Sequence, residues 1–249
     1  MTASKPPPPP KKASIYSDFN DAKAKLLAAL YRGPFYALLI GASGTGKTSL
    51  LHRVATLADR HRNQILYLAG SQTSSPGLGR YLADVLHLTQ RRSHAEMLRI
   101  LTQTLRESPA RLVLFIDEAH LLPEATLQEA RLLAESDLDS PPLFSVVFSG
   151  LPELKTKLDA PALFPLKRRL TLRLELTGLK KDEVQPFLVA RLAGAERFSA
   201  DAILAIFERA RGIPALVENL ADLCLRAVPG KEPVVLEAIE EVLESWDVT

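Results

Sequence analysis

A short apolar run, YALLI (36–40), leads directly into GASGTGKT (41–48) and then into a stretch with helical spacing. No other feature of the chain restricts its fold as much. The eight residues match G-x-x-x-x-G-K-[ST], a motif that carries weight only between a strand and a helix, which is where it stands here. Glycines at 41, 44 and 46 let the backbone curl so that successive N–H groups converge on a phosphate, with the positive end of the next helix behind them. The expected phosphate-binding stretch is Gly41, Ala42, Ser43, Gly44, Thr45, Gly46, Lys47, Thr48 and Ser49. Within it Lys47 bridges the β- and γ-phosphates of ATP, and Thr48 offers its hydroxyl to Mg²⁺.

Magnesium keeps several waters and takes one or two protein oxygens, so a second oxygen is needed at the end of a neighbouring strand. LVLFID (112–117) supplies it. Asp117 is the expected metal ligand beside Thr48, and Glu118, one step into the loop, is the expected group that polarises the attacking water. The letters DEAH (117–120) also name a helicase family, but such helicases close two tandem lobes of similar size. A chain of 249 residues with no second set of buried strands has room for one. His120 is therefore expected to be a loop residue near Glu118 that packs or hydrogen-bonds.

Around these motifs the chain alternates. Four runs have the continuous apolar character of strands buried on both faces: YALLI (36–40), ILYLA (65–69), LVLFID (112–117) and LFSVVFS (143–149). Amphipathic segments at 47–61, 78–88, 94–107 and 124–136 separate or follow them, which implies right-handed crossovers and a parallel sheet with helices on both faces. LTLRLEL (170–176) alternates more cleanly and reads as a fifth, edge strand. Beyond Gly178 helices are expected at 181–194, 199–211, 214–228 and 233–245, with Gly and Pro turns between them. Before the first strand, Ala22, Leu26, Leu27, Leu30 and Tyr31 recur at helical spacing until Gly33-Pro34. The expected organisation is a disordered Pro/Lys-rich arm over 1–14, an α/β domain over 15–176 and a small helical domain over 177–249.

Composition narrows the setting. No run reaches the roughly 18 apolar residues of a membrane span, and the N-terminus has no apolar segment of signal-peptide type, so a cytoplasmic protein without a membrane partner is expected. The single cysteine, Cys224, lies among apolar residues and reads as a buried structural thiol. Residues 1–176 carry 23 Lys and Arg against 16 Asp and Glu, net +7, while 177–249 carry 8 against 13, net −5. The basic part suits a polyanion, although phosphate-binding domains run slightly basic in any case.

Taken together, the chain resembles an AAA+ ATPase over about residues 15–245, most closely the group holding the secretion ATPase ExeA and the transposition ATPases TnsC, TniB and MuB. The resemblance is carried by GASGTGKTSLLHRV (41–54), LVLFIDEAHLLPEATLQEARLL (112–133), VVFSGLPELKTKL (146–158), and LKRRLTLRLELTGLKKDEV (166–184) with RGIPALVENLADLCLRA (211–227). It implies a P-loop fold of AAA+ type, with a five-stranded parallel sheet and a helical lid. It also implies a polar sensor on the strand before PEL, here Ser149, and an arginine given to the neighbouring subunit's site, here Arg169 with Arg168 as the alternative. A third cation is implied immediately after the G-x-P of the lid, but GIPA places Ala215 there. A methyl group contacts no phosphate, so either hydrolysis is slow or another cation such as Arg211 substitutes.

An arginine given in trans makes ATP the driver of self-association into a ring or filament. In the transposition branch that assembly engages double-stranded DNA and recruits or stimulates a transposase. In the secretion branch a membrane span and a cell-wall-binding region follow the ATPase, and this chain runs to Thr249 with neither. The expectation is therefore a TnsC- or TniB-like transposition ATPase, with a remodeller of a protein partner and an ATP-gated scaffold as alternatives. The local candidates for DNA contact are Arg91 and Arg92 in TQRRSH, for which a solvated interhelical loop is the plain alternative.

Overall fold

A computed structural model describes residues 16–70, 77–88, 94–135 and 142–246. Arg91, Arg92 and the proline-rich arm lie outside the described residues. In chain order the elements are α1 (Ser17–Arg32), β1 (Tyr36–Gly41), α2 (Lys47–Leu57), β2 (Asn63–Ala69), α3 (Leu78–Val85), α4 (His94–Glu107), β3 (Arg111–Asp117) and α5 (Glu124–Ala134). They continue as β4 (Ser145–Gly150), α6 (Glu153–Lys157), α7 (Phe164–Arg169), β5 (Leu170–Leu176), α8 (Val184–Arg191), α9 (Ala200–Arg209), α10 (Pro214–Ala227) and α11 (Glu240–Ser245). By their contacts the described residues fall into two units, 23–41 with 47–175, and 16–22 with 42–46 and 176–246.

The first unit is built on a five-stranded sheet of order β2-β3-β4-β1-β5. Its pairs β2–β3, β3–β4 and β1–β4 run parallel, as the alternation of strands and helices requires. Every residue of β1 and β4 is buried, and so are six of the seven in β3, because helices cover both faces of these central strands. ILYLA departs from that expectation. As part of β2 it sits at the sheet edge, where Leu66 and Leu68 are buried while Ile65, Tyr67 and Ala69 are only half-buried. Leu114, Ile116, Val146 and Phe148 pack with Leu82, Leu101, Leu127 and Leu133 in one continuous core, each such side chain contributing about 1.5–3 kcal/mol. The register places Ser149 opposite Leu39, so the ends of β1 and β3 flank the end of β4.

In α1, Ala22, Leu26 and Leu30 are buried as the spacing predicts. Tyr31, expected with them, is 69% exposed and instead supports the Arg62 guanidinium 5.0 Å from its ring centroid.

The second unit is helical, with Val184, Phe187, Ile206, Val217, Leu220 and Cys224 in its core. Burial pushes the Cys224 thiol up to about 11, so it is inert at neutral pH. Helix α9 is capped by Ser199, whose side chain accepts from the Ala202 N–H. The helix expected over 233–245 begins only at Glu240. Val234 is drawn instead into a bridge with Phe198, its N–H donating to Arg197 and its carbonyl accepting from Ser199. Among the described residues no helix is long and apolar enough to cross a membrane.

Candidate functional site

The phosphate-binding motif begins at the last residue of β1, Gly41, and runs through a loop at 42–46 into the first turn of α2, which holds Lys47, Thr48 and Ser49. Gly44 and Gly46 have φ of 81° and 92°, a region that a side chain resists, so the loop geometry depends on both lacking one. Its carbonyls are engaged by the second unit's own groups. Ala42 O accepts from the N–H and hydroxyl of Thr45, Gly44 O from the Ala215 N–H, and Thr45 O from the Tyr16 phenol. With those acceptors occupied, the loop presents amide donors to a ligand, and the start of a helix adds its positive end. That is an anion site.

In the first unit the remaining groups converge. Lys47 is 5% exposed, and its Nζ donates to Gly41 O at 2.8 Å. Desolvation pulls its pKa below the ordinary lysine value, and the carboxylates of Glu118, Asp117 and Glu153 act against that. The ammonium thus sits where a further anion restores what burial costs it. Asp117, 2% exposed at the end of β3, accepts from the Thr48 hydroxyl at 2.6 Å through Oδ2 and from the Glu118 N–H at 3.0 Å through Oδ1. Thr48 and Asp117 are therefore brought together as the motif spacing predicts, two hard oxygens of the kind Mg²⁺ takes when most of its shell is water and phosphate.

Glu118 is held at φ 52° and ψ 37°, one of three residues other than glycine with positive φ among those described. Gly70, the residue after β2, makes room for this turn: a Cβ there would meet the Glu118 carbonyl at 2.4 Å. The Glu118 side chain is 41% exposed, open enough to meet a water, and its Oε2 lies 3.5 Å from His120 Nδ1. His120 belongs to a 3-10 turn, where Nδ1 accepts from the Leu151 N–H at 3.4 Å and the main-chain oxygen accepts from Lys157. It packs and hydrogen-bonds beside Glu118.

Ser149 is fully buried near the end of β4, and its hydroxyl has no hydrogen-bond partner among the described residues. Such an unsatisfied group costs about 1–3 kcal/mol, a cost consistent with a role that appears only with ligand. Arg169 is already committed within its own unit. Its Nε meets Glu135 Oε1 at 2.6 Å, and Glu135 also pairs with Arg131 at 2.7 Å. Arg168 is exposed and lies over the Phe164 ring, 5.8 Å from its centroid.

Three contributors were missed from the sequence. The Tyr67 hydroxyl donates to Asp117 Oδ2 at 2.6 Å, and its ring stacks on His52 with centroids 5.4 Å apart. In the other unit, Tyr16 and Phe19 lie under Gly46, each within 4 Å of where its Cβ would be. A tyrosine inside an apolar run such as ILYLA signals a buried hydroxyl in need of a partner, but not which partner.

Comparison with known proteins agrees with this geometry. A family model described as an AAA domain matches residues 33–158, a little over half of the chain. Over 223 residues the chain is 30% identical to general secretion pathway protein A of Aeromonas hydrophila, covering 83% of this chain and 39% of that protein. It thus spans about two fifths of that relative's length. Cdc6p from Pyrobaculum aerophilum is similar with a TM-score of 0.65 at 20% identity, over 98% of this chain and 71% of that one. Drosophila ORC bound to DNA gives 0.63 at 18% identity, over 95% and 62%. At these identities the structural likenesses speak for the fold alone.

Proposed function

The chain belongs to the AAA domain family, and we propose that it is an Mg²⁺-dependent ATPase whose nucleotide drives self-association on double-stranded DNA. The observation that carries the catalytic part is the Thr48–Asp117 contact with Glu118 held beside it in a left-handed turn. Thr48 and Asp117 would hold the metal. Bound with the nucleotide, Mg²⁺ supplies positive charge to the β- and γ-phosphates. Lys47 adds a second cation from a desolvated position, the loop amides bind the phosphate oxygens, and the Glu118 carboxylate accepts a proton from the attacking water. Ser149, with its unspent hydroxyl, is the proposed contact to the γ-phosphate or the water.

The cation expected from a neighbouring subunit is carried by α7. Arg169 would have to leave Glu135 to serve, whereas Arg168 is exposed and oriented by Phe164. We therefore place Arg168 in the neighbour's site and Arg169 in its own subunit's framework. The finer reading, regulation of transposition through duplex DNA and a transposase, is supported by the quoted motifs and by the net charge of +7 over residues 1–176. Electron microscopy and sedimentation with a slowly hydrolysed ATP analogue test it. Ordered assembly that needs both nucleotide and duplex, and that weakens steeply with salt, is expected. Assembly with nucleotide alone that ignores duplex at low salt sinks the DNA part.

A second reading is favoured by one observation, the 30% identity to general secretion pathway protein A. On that reading the same ATPase cycle acts on a protein partner. ATP turnover stimulated by that partner and indifferent to duplex DNA would select it.

A further inference from the structure

We infer that Tyr67 is a positioning residue for Asp117, and that the strength with which the protein binds Mg²⁺ alongside ATP depends on the Tyr67 hydroxyl. The inference rests on the reading of Thr48 and Asp117 as the metal ligands. Asp117 is nearly sealed from solvent and receives three hydrogen bonds. Oδ1 takes the Glu118 N–H at 3.0 Å, while Oδ2 takes both the Thr48 and the Tyr67 hydroxyls, each at 2.6 Å. Two short charge-assisted bonds on one oxygen, opposed by a third on the other, leave the carboxylate no freedom to rotate.

The direction of each proton matters. Asp117 is the acceptor, so Thr48 points its O–H at the carboxylate and keeps its oxygen lone pairs for a cation. Tyr67 shares the same acceptor, with its hydroxyl also beside that of Thr48. Its position is over-determined. The backbone is locked in register with Phe115 of β3, its carbonyl accepts from the Tyr81 hydroxyl at 3.1 Å, and its ring stacks on the buried His52 with an interplanar angle of 24°.

A rigid donor of this kind, aimed at a metal-binding carboxylate from an adjacent strand, orients the ligand before the metal arrives. Removing the hydroxyl also leaves more negative charge on Oδ2, which by itself attracts a cation. Orientation is expected to win, because loss of such an orienting partner typically weakens metal affinity about 10–100-fold.

The test is Tyr67→Phe, which keeps the ring and its stack and removes one oxygen. A fluorescent ATP analogue is titrated against the full chain in EDTA, and again at a fixed nucleotide concentration across a range of Mg²⁺. Expected is an unchanged affinity in EDTA and a Mg²⁺ midpoint raised about tenfold, with the thermal transition close to wild type. An unchanged or lowered midpoint overturns the inference, and so does an equal weakening with and without the metal, which marks a general structural role. Asp117→Asn, measured alongside, separates this from its premise. If the wild-type chain itself shows no Mg²⁺-dependent tightening and Asp117→Asn changes nothing, the ligand reading fails. If both behave as metal ligands require and only Tyr67→Phe is silent, the inference alone fails.

Discussion

The backbone N–H of Ala215, in the first turn of α10, donates to the carbonyl of Gly44 at 3.2 Å. The Ala215 Cβ lies 3.0 Å from the point a Cβ on Gly44 would occupy, with Ile213 Cγ2 at 3.1 Å on the same spot. The position where the family resemblance expects a cation is thus taken up by a backbone contact with the phosphate-binding loop. The helix reads that loop through a peptide hydrogen bond and a methyl group.

On the proposed reading, turnover should be limited by the charge absent at Ala215. Ala215→Arg keeps the peptide N–H that Gly44 uses and starts from a half-buried position. It is expected to raise steady-state phosphate release about tenfold or more, with ATP affinity little changed. Ala215→Leu, which adds bulk without charge, should give no increase.

Arg168 and Arg169 should separate cleanly. Arg169→Ala breaks a half-buried pair with Glu135 and is expected to lower stability by about 0.5–1 kcal/mol in urea denaturation. Arg168→Ala should leave stability unchanged and cut turnover of the assembled protein about a hundredfold or more. Mixing Arg168→Ala subunits with Glu118→Gln subunits should restore part of the activity, since each supplies what the other lacks. Absence of any complementation would place Arg168 outside the neighbour's site.

Arg211 follows the end of α9 at φ 52°, where glycine is the usual residue. A left-handed conformation costs a residue with a side chain about 1–2 kcal/mol, partly returned by the smaller entropy of its unfolded state relative to glycine. Arg211→Gly should therefore raise stability by about 0.5–1 kcal/mol. If Arg211 is the substituting cation, the same variant loses turnover, and thermal denaturation beside phosphate release reads both effects.

His52 gives a pH signature. Burial holds its imidazole below the ordinary value of 6.5, and the nearby Asp117 charge opposes this only partly. Well above 6.5 both the folded and unfolded chains carry it neutral. As the pH falls through 6.5 the unfolded chain takes up a proton that the folded one refuses, so stability declines until the folded imidazole is itself protonated. His52→Phe keeps a ring against Tyr67 and removes the titration. Urea denaturation at about pH 7.5 and about pH 5.5 should show a larger loss for wild type than for the variant.

Much of the site was legible in one dimension because its parts are local. The phosphate loop is a contiguous motif, and the pairing of Thr48 with Asp117 follows from where a metal carboxylate must stand relative to such a loop. The five strands and their flanking helices were visible because burial on both faces imposes continuous apolar runs, whereas burial on one face imposes a helical period. Errors came where the pattern is shared by two environments. ILYLA reads like a central strand because its side chains are apolar, yet its lot as an edge strand was set by the order β2-β3-β4-β1-β5. PVVLEA reads like the start of a helix, yet Val234 bridges Phe198, more than thirty residues earlier.

By itself, then, the sequence determined the strand–loop–helix that carries the phosphate-loop motif, the carboxylates at the end of β3, the α/β fold with its five strands, and the AAA family. These depend on composition and spacing within a few residues, which chain chemistry dictates before any folding. Only the tertiary structure decided that Tyr67 and Thr48 share one oxygen of Asp117, that Glu135 claims Arg169, and that Ala215 closes on Gly44. Each joins residues 34 or more positions apart. A contact of that kind has no periodicity to announce it, since it exists only once the sheet order and helix packing have brought the two side chains together.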